Sequence, residues 1–203
     1  MKIFIMRHGE TDWNTQKRLQ GRTDISLNEN GRELARVTAE ALRDVPFDLA
    51  ISSPLARALE TAEILIGDRN IPILRDERLI EISFGVFEGM ISSKENYEIP
   101  DPDFSNFFQA PDRYLPPSQG EDIRSLGART KAFMDYILNR EEYQEKTILV
   151  TTHGGAMRGL LNSLRTFEMS DFWNGGVPKN CGVAILECQD GKADVLEENK
   201  IYY

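Results

Sequence analysis

The stretch IFIMRHGETDW, residues 3–13, joins a short apolar run to a group of charged and polar residues. The continuous apolar run is typical of a strand that is buried on both faces of a sheet, and it predicts a strand from Lys2 to Met6. In open α/β sheets, ligands bind beyond the carboxyl ends of the strands. We therefore interpret Arg7, His8, Gly9 and Glu10 as candidate site residues.

The rest of the chain alternates between strand and helix patterns. This alternation predicts an α/β fold with a mostly parallel central sheet and helices on both faces. Further strands are expected at 48–52, at 147–152, and at 183–188 and 193–197 as a hairpin across Gln189-Asp190-Gly191. Helices are expected at 28–44, after an N-cap at Ser53 with Pro54 at the first position, from a Ser118/Glu121 capping box to about Arg140, and from about Ala156.

Residues 90–119 interrupt the alternation. Five of the nine prolines lie between Pro100 and Pro117, together with Phe104, Phe107, Phe108 and Tyr114. A linker would not carry so many aromatic residues, so the segment is predicted to be an irregular insert. A chain of 203 residues that is 40% hydrophobic can bury a substantial core, which favours a single domain over residues 1–203 with the insert as its lid.

The charge and composition of the chain limit the classes of partner that it can bind. The net charge of −9 argues against nucleic acid or an anionic membrane as the main partner. No apolar stretch is long enough for a signal peptide or a membrane span. Cys181 and Cys188 are predicted to lie on one strand with opposite orientations, which excludes a mutual disulfide and fits a reducing compartment. The sequence predicts a soluble cytoplasmic protein and leaves a homodimer open.

Three predicted parallel strands end in reactive residues, and their carboxyl ends should lie along one edge of the sheet. The two histidines of the chain, His8 and His153, both occupy such positions. The strand at 48–52 is followed by Ser53 and, one helical turn later, by Arg57. A lone histidine after a strand is more often structural, but two in matching positions beside arginines favour a functional site.

These residue types suit phosphate. The planar forks of Arg7 and Arg57 hold phosphoryl oxygens bidentately, and the helix starts after Ser53 and His153 are expected to add backbone N–H donors. Gly9 and Gly154 would let the backbone approach closely. The pattern therefore predicts a phosphate pocket for a small-molecule phosphate ester.

The histidines suit covalent chemistry. His8 is neutral near pH 7 and can attack phosphorus with one ring nitrogen, while a backbone carbonyl fixes the other nitrogen as the proton carrier. A phosphohistidine intermediate would follow. A protonated His153 would stabilise the charge of the transferring group.

Five segments of the chain resemble the histidine phosphatase superfamily, the phosphoglycerate-mutase-like group. They are RHGETDWN at 7–14, RLQGRTDISLNENGR at 18–32, SSPLARALETA at 52–62, LIEISFGVFEG at 79–89 and THGGAMR at 152–158. The resemblance implies a phosphoglycerate-mutase-like fold, His8 as the nucleophile and Glu81 as the proton donor. It also implies a phosphate pocket of Arg7, Asn14, Arg57 and His153.

Two assignments from this resemblance keep alternatives. Asn14 could equally cap a helix. Gln20 and Gly21 match a segment that borders the substrate in the family, although Gln20 could belong to a solvated loop with Arg18 and Arg22. We expect neither a metal ion nor a cofactor, since two arginines and a histidine already supply positive charge.

Departures from the family pattern favour a phosphatase over a mutase. In the mutase branch, the loop that corresponds to residues 87–117 is typically longer and basic, whereas here it is acidic. Such acids would repel a second phosphate. The segment QGRTD at 20–24 also resembles the phosphatase branch. Asp122 replaces the usual serine after Gly120-Glu121, and the insert at 92–117 carries no substrate assignment. The acids of this loop are Glu88, Glu95, Glu98, Asp101, Asp103 and Asp112.

Three alternatives to the phosphatase remain. Mutase-type phosphoryl transfer is the runner-up. A metal site built from His8, Glu10, Asp12 and His153 matches no spacing such as HExxH, and the flanking arginines would repel a cation. A catalytically silent phosphate-binding module would be marked by loss of the nucleophile or the acid, and both His8 and Glu81 are present.

Overall fold

The computed structural model describes residues 1–203 and has a six-stranded sheet at its centre. The strands are β1 (Lys2–Arg7), β2 (Leu49–Ser52), β3 (Ile73–Arg75), β4 (Thr147–Thr152), β5 (Val183–Gln189) and β6 (Lys192–Lys200). Their order across the sheet is β3-β2-β4-β1-β5-β6. The first four are parallel, and β5 and β6 pair antiparallel at one side. The predicted mostly parallel sheet is confirmed.

Helices cover both faces of the sheet, also as predicted. Side chains of β1 alternate between the faces: Ile3 and Ile5 pack with α5 and α6, whereas Phe4 and Met6 pack with α2 and α3. The helices are α1 (Asp12–Thr15), α2 (Glu29–Ala41), α3 (Ala56–Ile66), α4 (Asn106–Gln109), α5 (Ile123–Leu138) and α6 (Gly154–Asn162).

The start of α3 differs from the prediction. Helix α3 begins at Ala56 after an extended Leu55, so Ser53 is not its N-cap and Pro54 is not its first residue. The hydroxyl of Ser53 lies 2.7 Å from Nε2 of His153. Instead, Asp24 accepts the Ala56 N–H at 2.8 Å. A carboxylate from a distant loop has replaced the local cap.

The predicted Ser118/Glu121 capping box is also wrong. The N-cap of α5 is Asp122, whose carboxylate accepts the Ser125 N–H. The carboxylate of Glu121 instead forms an ion pair with Arg129. Asp122, which replaces the usual serine of the family, thus has a clear local role, because aspartate is among the preferred N-cap residues.

The antiparallel hairpin forms as expected. Asp190 and Gly191 both have positive φ, as a two-residue type I′ turn requires. Cys181, however, precedes β5 and has a φ of +53°, so the two cysteines do not share a strand. Both are free and buried, and they pack on opposite faces of the sheet.

The insert is irregular but packed. Apart from α4 it contains only short 3₁₀ turns. Phe104, Phe107 and Tyr114 are buried in a separate hydrophobic cluster with Phe172 and Leu126. The insert therefore packs near the carboxyl ends of the parallel strands, and this small hydrophobic cluster holds it there. None of the helices has both the length and the apolar character needed to cross a bilayer.

Candidate active site

The predicted convergence at the sheet edge is present. Because β2, β4 and β1 are neighbours, their carboxyl ends bring Arg57, His153 and His8 together. The His8 N–H donates to the Thr152 carbonyl at 2.9 Å, and the two imidazole centroids are 5.1 Å apart. A cavity of about 130 Å³ opens here, and Arg7, His8 and Arg57 line it.

The structure determines the tautomer of His8. Its Nδ1 lies 2.6 Å from the Gly9 carbonyl, and because a carbonyl can only accept, Nδ1 carries the proton. Burial, together with the charges of Arg57 and Arg7, lowers the pKa of His8 well below 6.5. His8 is therefore neutral at pH 7, and its Nε2 has a free lone pair.

The turn after β1 is held tightly. A Cβ atom on Gly9 would lie 2.5 Å from the Gly31 carbonyl oxygen, so only glycine fits at this crossing. The Gly9 N–H donates to the Thr61 hydroxyl at 3.0 Å. Asn180 donates to the carbonyls of both His8 and Gly9 at 3.1 Å. These contacts fix the orientation of the imidazole.

Arg57 is buried and Arg7 is half-buried, and each guanidinium is anchored by hydrogen bonds to backbone carbonyls. Arg7 donates to the Pro178 carbonyl at 2.6 Å, and Arg57 donates to the carbonyls of Thr23 and Gly21 at 2.9 and 2.7 Å. Burial lowers the pKa of Arg57 to about 10, against the effect of nearby Glu81. Arg57 therefore keeps its positive charge at neutral pH.

Unpartnered polar atoms concentrate in this pocket. Five buried side-chain nitrogen or oxygen atoms have no hydrogen-bond partner, and four of them belong to Arg7, Gln20, Arg57 and His153. Three are nitrogens, namely the Nε atoms of the two arginines and Nδ1 of His153. Leaving a buried polar group unpaired costs about 1–3 kcal/mol, so an anionic ligand would satisfy these groups.

His153 lies at the N-terminus of α6 and is completely buried. Burial first, then the charges of Arg57, His8 and Arg7, lower its pKa well below 6.5. The sequence predicted a protonated His153 between oxyanions. In the structure His153 is neutral, because the cationic side chains of Arg57 and Arg7 lie near it. A bound phosphate dianion would favour its protonated form.

Glu81 occupies the start of α6. Its carboxylate accepts the N–H groups of Gly155 and Ala156, each at 3.0 Å, and of Ile82 at 2.9 Å. Two of the N–H groups at the start of α6 that were expected to face phosphate, those of Gly155 and Ala156, are therefore used by Glu81. The contacts hold the carboxylate against the pocket that it lines.

Glu88 has a different position. Its carboxylate accepts the N–H groups of Arg22, Thr23 and Phe84 at 2.9, 2.8 and 3.1 Å. Glu88 does not line the cavity. It ties the loop at 21–24 to the turn at 83–88, which is a structural role.

The remaining predicted contacts lie at the pocket wall. Asn14, Gln20, Gly21 and Gly154 all line the cavity. Asn14 also caps α1, because its side-chain oxygen accepts the Thr11 N–H at 3.1 Å. The helix-capping interpretation of Asn14 is therefore confirmed, and its contact with phosphate stays a prediction. The Gln20 side chain is buried, so it is not part of a solvated loop.

The outer wall of the pocket is apolar and aromatic. Phe107, Phe108 and Trp173 line it and contact one another with centroids 4.7 to 5.3 Å apart. Arg18 is the one further cation of the lining. Its guanidinium already donates to the Gly89 carbonyl, and its Nη1 lies 3.5 Å from the carboxylate of Glu98.

Sequence reasoning missed several of these residues. Asn180 and Trp173 come from loops far along the chain, and no local pattern links either of them to His8. Thr61 could have been predicted from its spacing, since it lies one helical turn after Arg57 on α3. In the structure its hydroxyl donates to the Arg57 carbonyl at 2.7 Å. The metal site that was weighed is not assembled, because no group of three or more His, Cys, Asp or Glu side chains is placed to hold an ion.

A neutral histidine between two arginines, at the carboxyl edge of a parallel sheet, defines an α/β enzyme that handles phosphate. The sequence model of the histidine phosphatase superfamily (branch 1) matches residues 3–201. The chain belongs to the histidine phosphatase superfamily.

Individual relatives agree with this assignment. Phosphoserine phosphatase 1 of Hydrogenobacter thermophilus is 28% identical over 98% of this chain and 92% of its own length. The solved structure of Bacillus stearothermophilus YhfR superposes with a TM-score of 0.89 at 34% identity, over 98% of this chain and 97% of that one. The Entamoeba histolytica phosphoserine phosphatase, solved with 3-phosphoglyceric acid, gives 0.83 at 29% identity, over 98% and 96%.

Proposed function

We propose that the protein is a phosphomonoester hydrolase that acts on small phosphate esters through a phosphohistidine at His8. The observation that carries the proposal is the set of unpartnered nitrogens, Nε of Arg7 and Arg57 and Nδ1 of His153, around a neutral imidazole. Charged donors on a buried floor match the oxygens of a phosphoryl group. Phosphatases among the relatives support the same reaction class.

The first half-reaction transfers the phosphoryl group to the enzyme. His8 Nε2 attacks phosphorus, the bond between phosphorus and the ester oxygen breaks, and Glu81 donates a proton to the departing oxygen. Nδ1 keeps its proton through its bond to the Gly9 carbonyl. The two arginines and a protonated His153 stabilise the charge on the equatorial oxygens.

The second half-reaction returns the enzyme to its starting state. Water attacks the phosphorus, the Glu81 carboxylate takes its proton, and the bond to His8 Nε2 breaks to release inorganic phosphate. Arginines and histidine supply the positive charge for both steps, so the proposed mechanism requires no metal ion. The free, buried cysteines are compatible with a cytoplasmic location.

The outer wall favours hydrolysis over mutase action. A mutase must hold a second phosphate or a carboxylate beyond the reacting one, and that needs a free cation. Arg18 is already bound to protein oxygens, and the other outer side chains are apolar. Phe107, Phe108 and Trp173 would instead contact an apolar leaving group.

Trapping of the intermediate tests the proposal. The protein is mixed with 4-nitrophenyl phosphate, quenched rapidly without acid, and digested for mass spectrometry. We expect phosphate on the peptide that contains His8, and none in His8→Ala, which should fold normally and lack activity. Turnover without a phosphorylated His8 peptide would overturn the mechanism.

A further inference from the structure

Glu81 lies two residues after the 3₁₀ turn at Glu77–Leu79, and the carbonyls of the three residues before it are all held. The Leu79 carbonyl accepts from the Thr152 hydroxyl at 2.7 Å. The carbonyls of Arg78 and Ile80 both accept from Arg129, at 2.9 and 2.6 Å. We refer to residues 78–81 as the acid-bearing segment. Side chains rather than a backbone ladder determine its position.

Arg129 is in turn held by Glu121. Its Nε and Nη2 donate to the two carboxylate oxygens, each at 2.8 Å, which is a bidentate pair with a fixed geometry. The side chains are only 16% and 12% exposed. Because the fork also reaches two carbonyls with Nη1, this one guanidinium connects α5 to the acid-bearing segment.

We infer that the Glu121–Arg129 pair is a positioning device for the general acid, an inference that rests on the proposed role of Glu81. Arg129 does not line the pocket. Its effect passes through the Ile80 carbonyl, one residue before Glu81. A displacement of about 1 Å in a reacting group can cost about 10²-fold in rate, so loosening the segment should weaken proton donation.

Proton donation has a specific kinetic signature. It matters most for a basic leaving group such as the alkoxide of glycerol 2-phosphate, and least for 4-nitrophenolate, which departs unaided. Loss of positioning should therefore lower kcat/KM for the alkyl ester, which reports the transfer of the phosphoryl group to His8, and spare kcat/KM for the aryl ester. A merely structural role would lower both equally.

The key variant is Arg129→Lys. Arg129 also contributes to the lowered pKa of His153, and lysine keeps that charge while it loses the planar fork. We expect kcat/KM for glycerol 2-phosphate to fall about 10- to 100-fold, and kcat/KM for 4-nitrophenyl phosphate to stay within about twofold.

Glu121→Gln is the second variant and leaves Arg129 in place. It removes one arm of the bidentate pair, so a smaller selective loss is expected. It also decides the question should Arg129→Lys fail to fold. Arg32→Gln is the matched control, because it breaks a partly buried ion pair with Glu60 at 2.6 Å away from the pocket, and both rates should stay unchanged.

Glu81→Gln, measured in parallel, separates the two proposals. If Glu81→Gln loses the alkyl ester selectively while the Arg129 and Glu121 variants slow both esters equally or neither, the positioning inference is wrong and the proposed acid stands. If Glu81→Gln shows no selectivity, the role of Glu81 itself is wrong. A selective loss in all three variants supports the inference.

Discussion

Glu88→Gln is expected to destabilise the protein without impairing proton donation. Glu88 lies seven residues after Glu81 in the same sequence motif, and the sequence alone offers either carboxylate as the acid. In the structure the Glu88 oxygens accept three backbone N–H groups and the hydroxyl of Thr23. A glutamine side chain has one acceptor oxygen. Whichever way its amide turns, an NH₂ group faces at least one backbone N–H group.

The expected cost follows from that unpaired donor. Leaving a fully buried donor unsatisfied costs about 1–3 kcal/mol, and the donors at Glu88 are only partly buried, so about 1–2 kcal/mol is expected. In a domain of this size, 1 kcal/mol corresponds to about 2–4 °C in Tm, so Tm should fall by about 2–8 °C. The loop that Glu88 anchors carries the Gly21 carbonyl that holds Arg57, so a loss of activity should affect alkyl and aryl esters alike.

Calorimetry and two-substrate kinetics measure both effects. Thermal unfolding of Glu88→Gln is compared with that of the wild type and of Glu81→Gln, and kcat/KM is measured with glycerol 2-phosphate and 4-nitrophenyl phosphate. A selective loss of the alkyl ester in Glu88→Gln would show that the acid has been assigned to the wrong carboxylate. An unchanged Tm would refute the reasoning about the unpaired donor.

Four further predictions concern the same site. Activity should survive exhaustive chelation with EDTA, and a loss that Mg²⁺, Mn²⁺ or Zn²⁺ restores would contradict the proposed charge balance. With 3-phosphoglycerate, release of phosphate should outpace formation of 2-phosphoglycerate, and a faster interconversion would make the enzyme a mutase. The pKa values of His8 and His153 are lowered from 6.5, so below pH 6.5 the unfolded chain binds protons that the folded chain does not. As the pH decreases below 6.5, the free energy of unfolding should therefore fall by about 1.4 kcal/mol per pH unit for each histidine. Urea titrations of His8→Ala should show a pH slope that is smaller by the contribution of one histidine, and a slope equal to that of the wild type would argue against the lowered pKa. Phe108→Ala should lower kcat/KM for 1-naphthyl phosphate more than for phosphoserine, and an equal loss would count against an apolar leaving-group wall.

The parts of the site that follow strands were predictable from the sequence. Apolar runs define strands, and the topology of a parallel sheet brings their carboxyl ends together, so His8, Arg57 and His153 could be grouped without coordinates. The start of α2 was also predicted closely, and its cap is local, because the Asn28 side chain accepts the Gly31 N–H.

The failures share one physical cause, which is competition from distant partners. Ser53 looks like an N-cap, but His153 occupies its hydroxyl and Asp24 caps the helix instead. Glu121 looks like half of a capping box, but Arg129 binds it. Strand β3, only three residues long, was missed because so short a run has no periodicity to detect.

The central place of β1 has a consequence for biosynthesis. Its two neighbours, β4 and β5, begin at residues 147 and 183, so the first strand to leave the ribosome must wait for partners from the last third of the chain. At about 5–20 residues per second, that delay is on the order of 10 s. During this interval Ile3, Phe4, Ile5 and Met6 remain unpaired and apolar, which makes the nascent amino-terminal segment the natural target for chaperones.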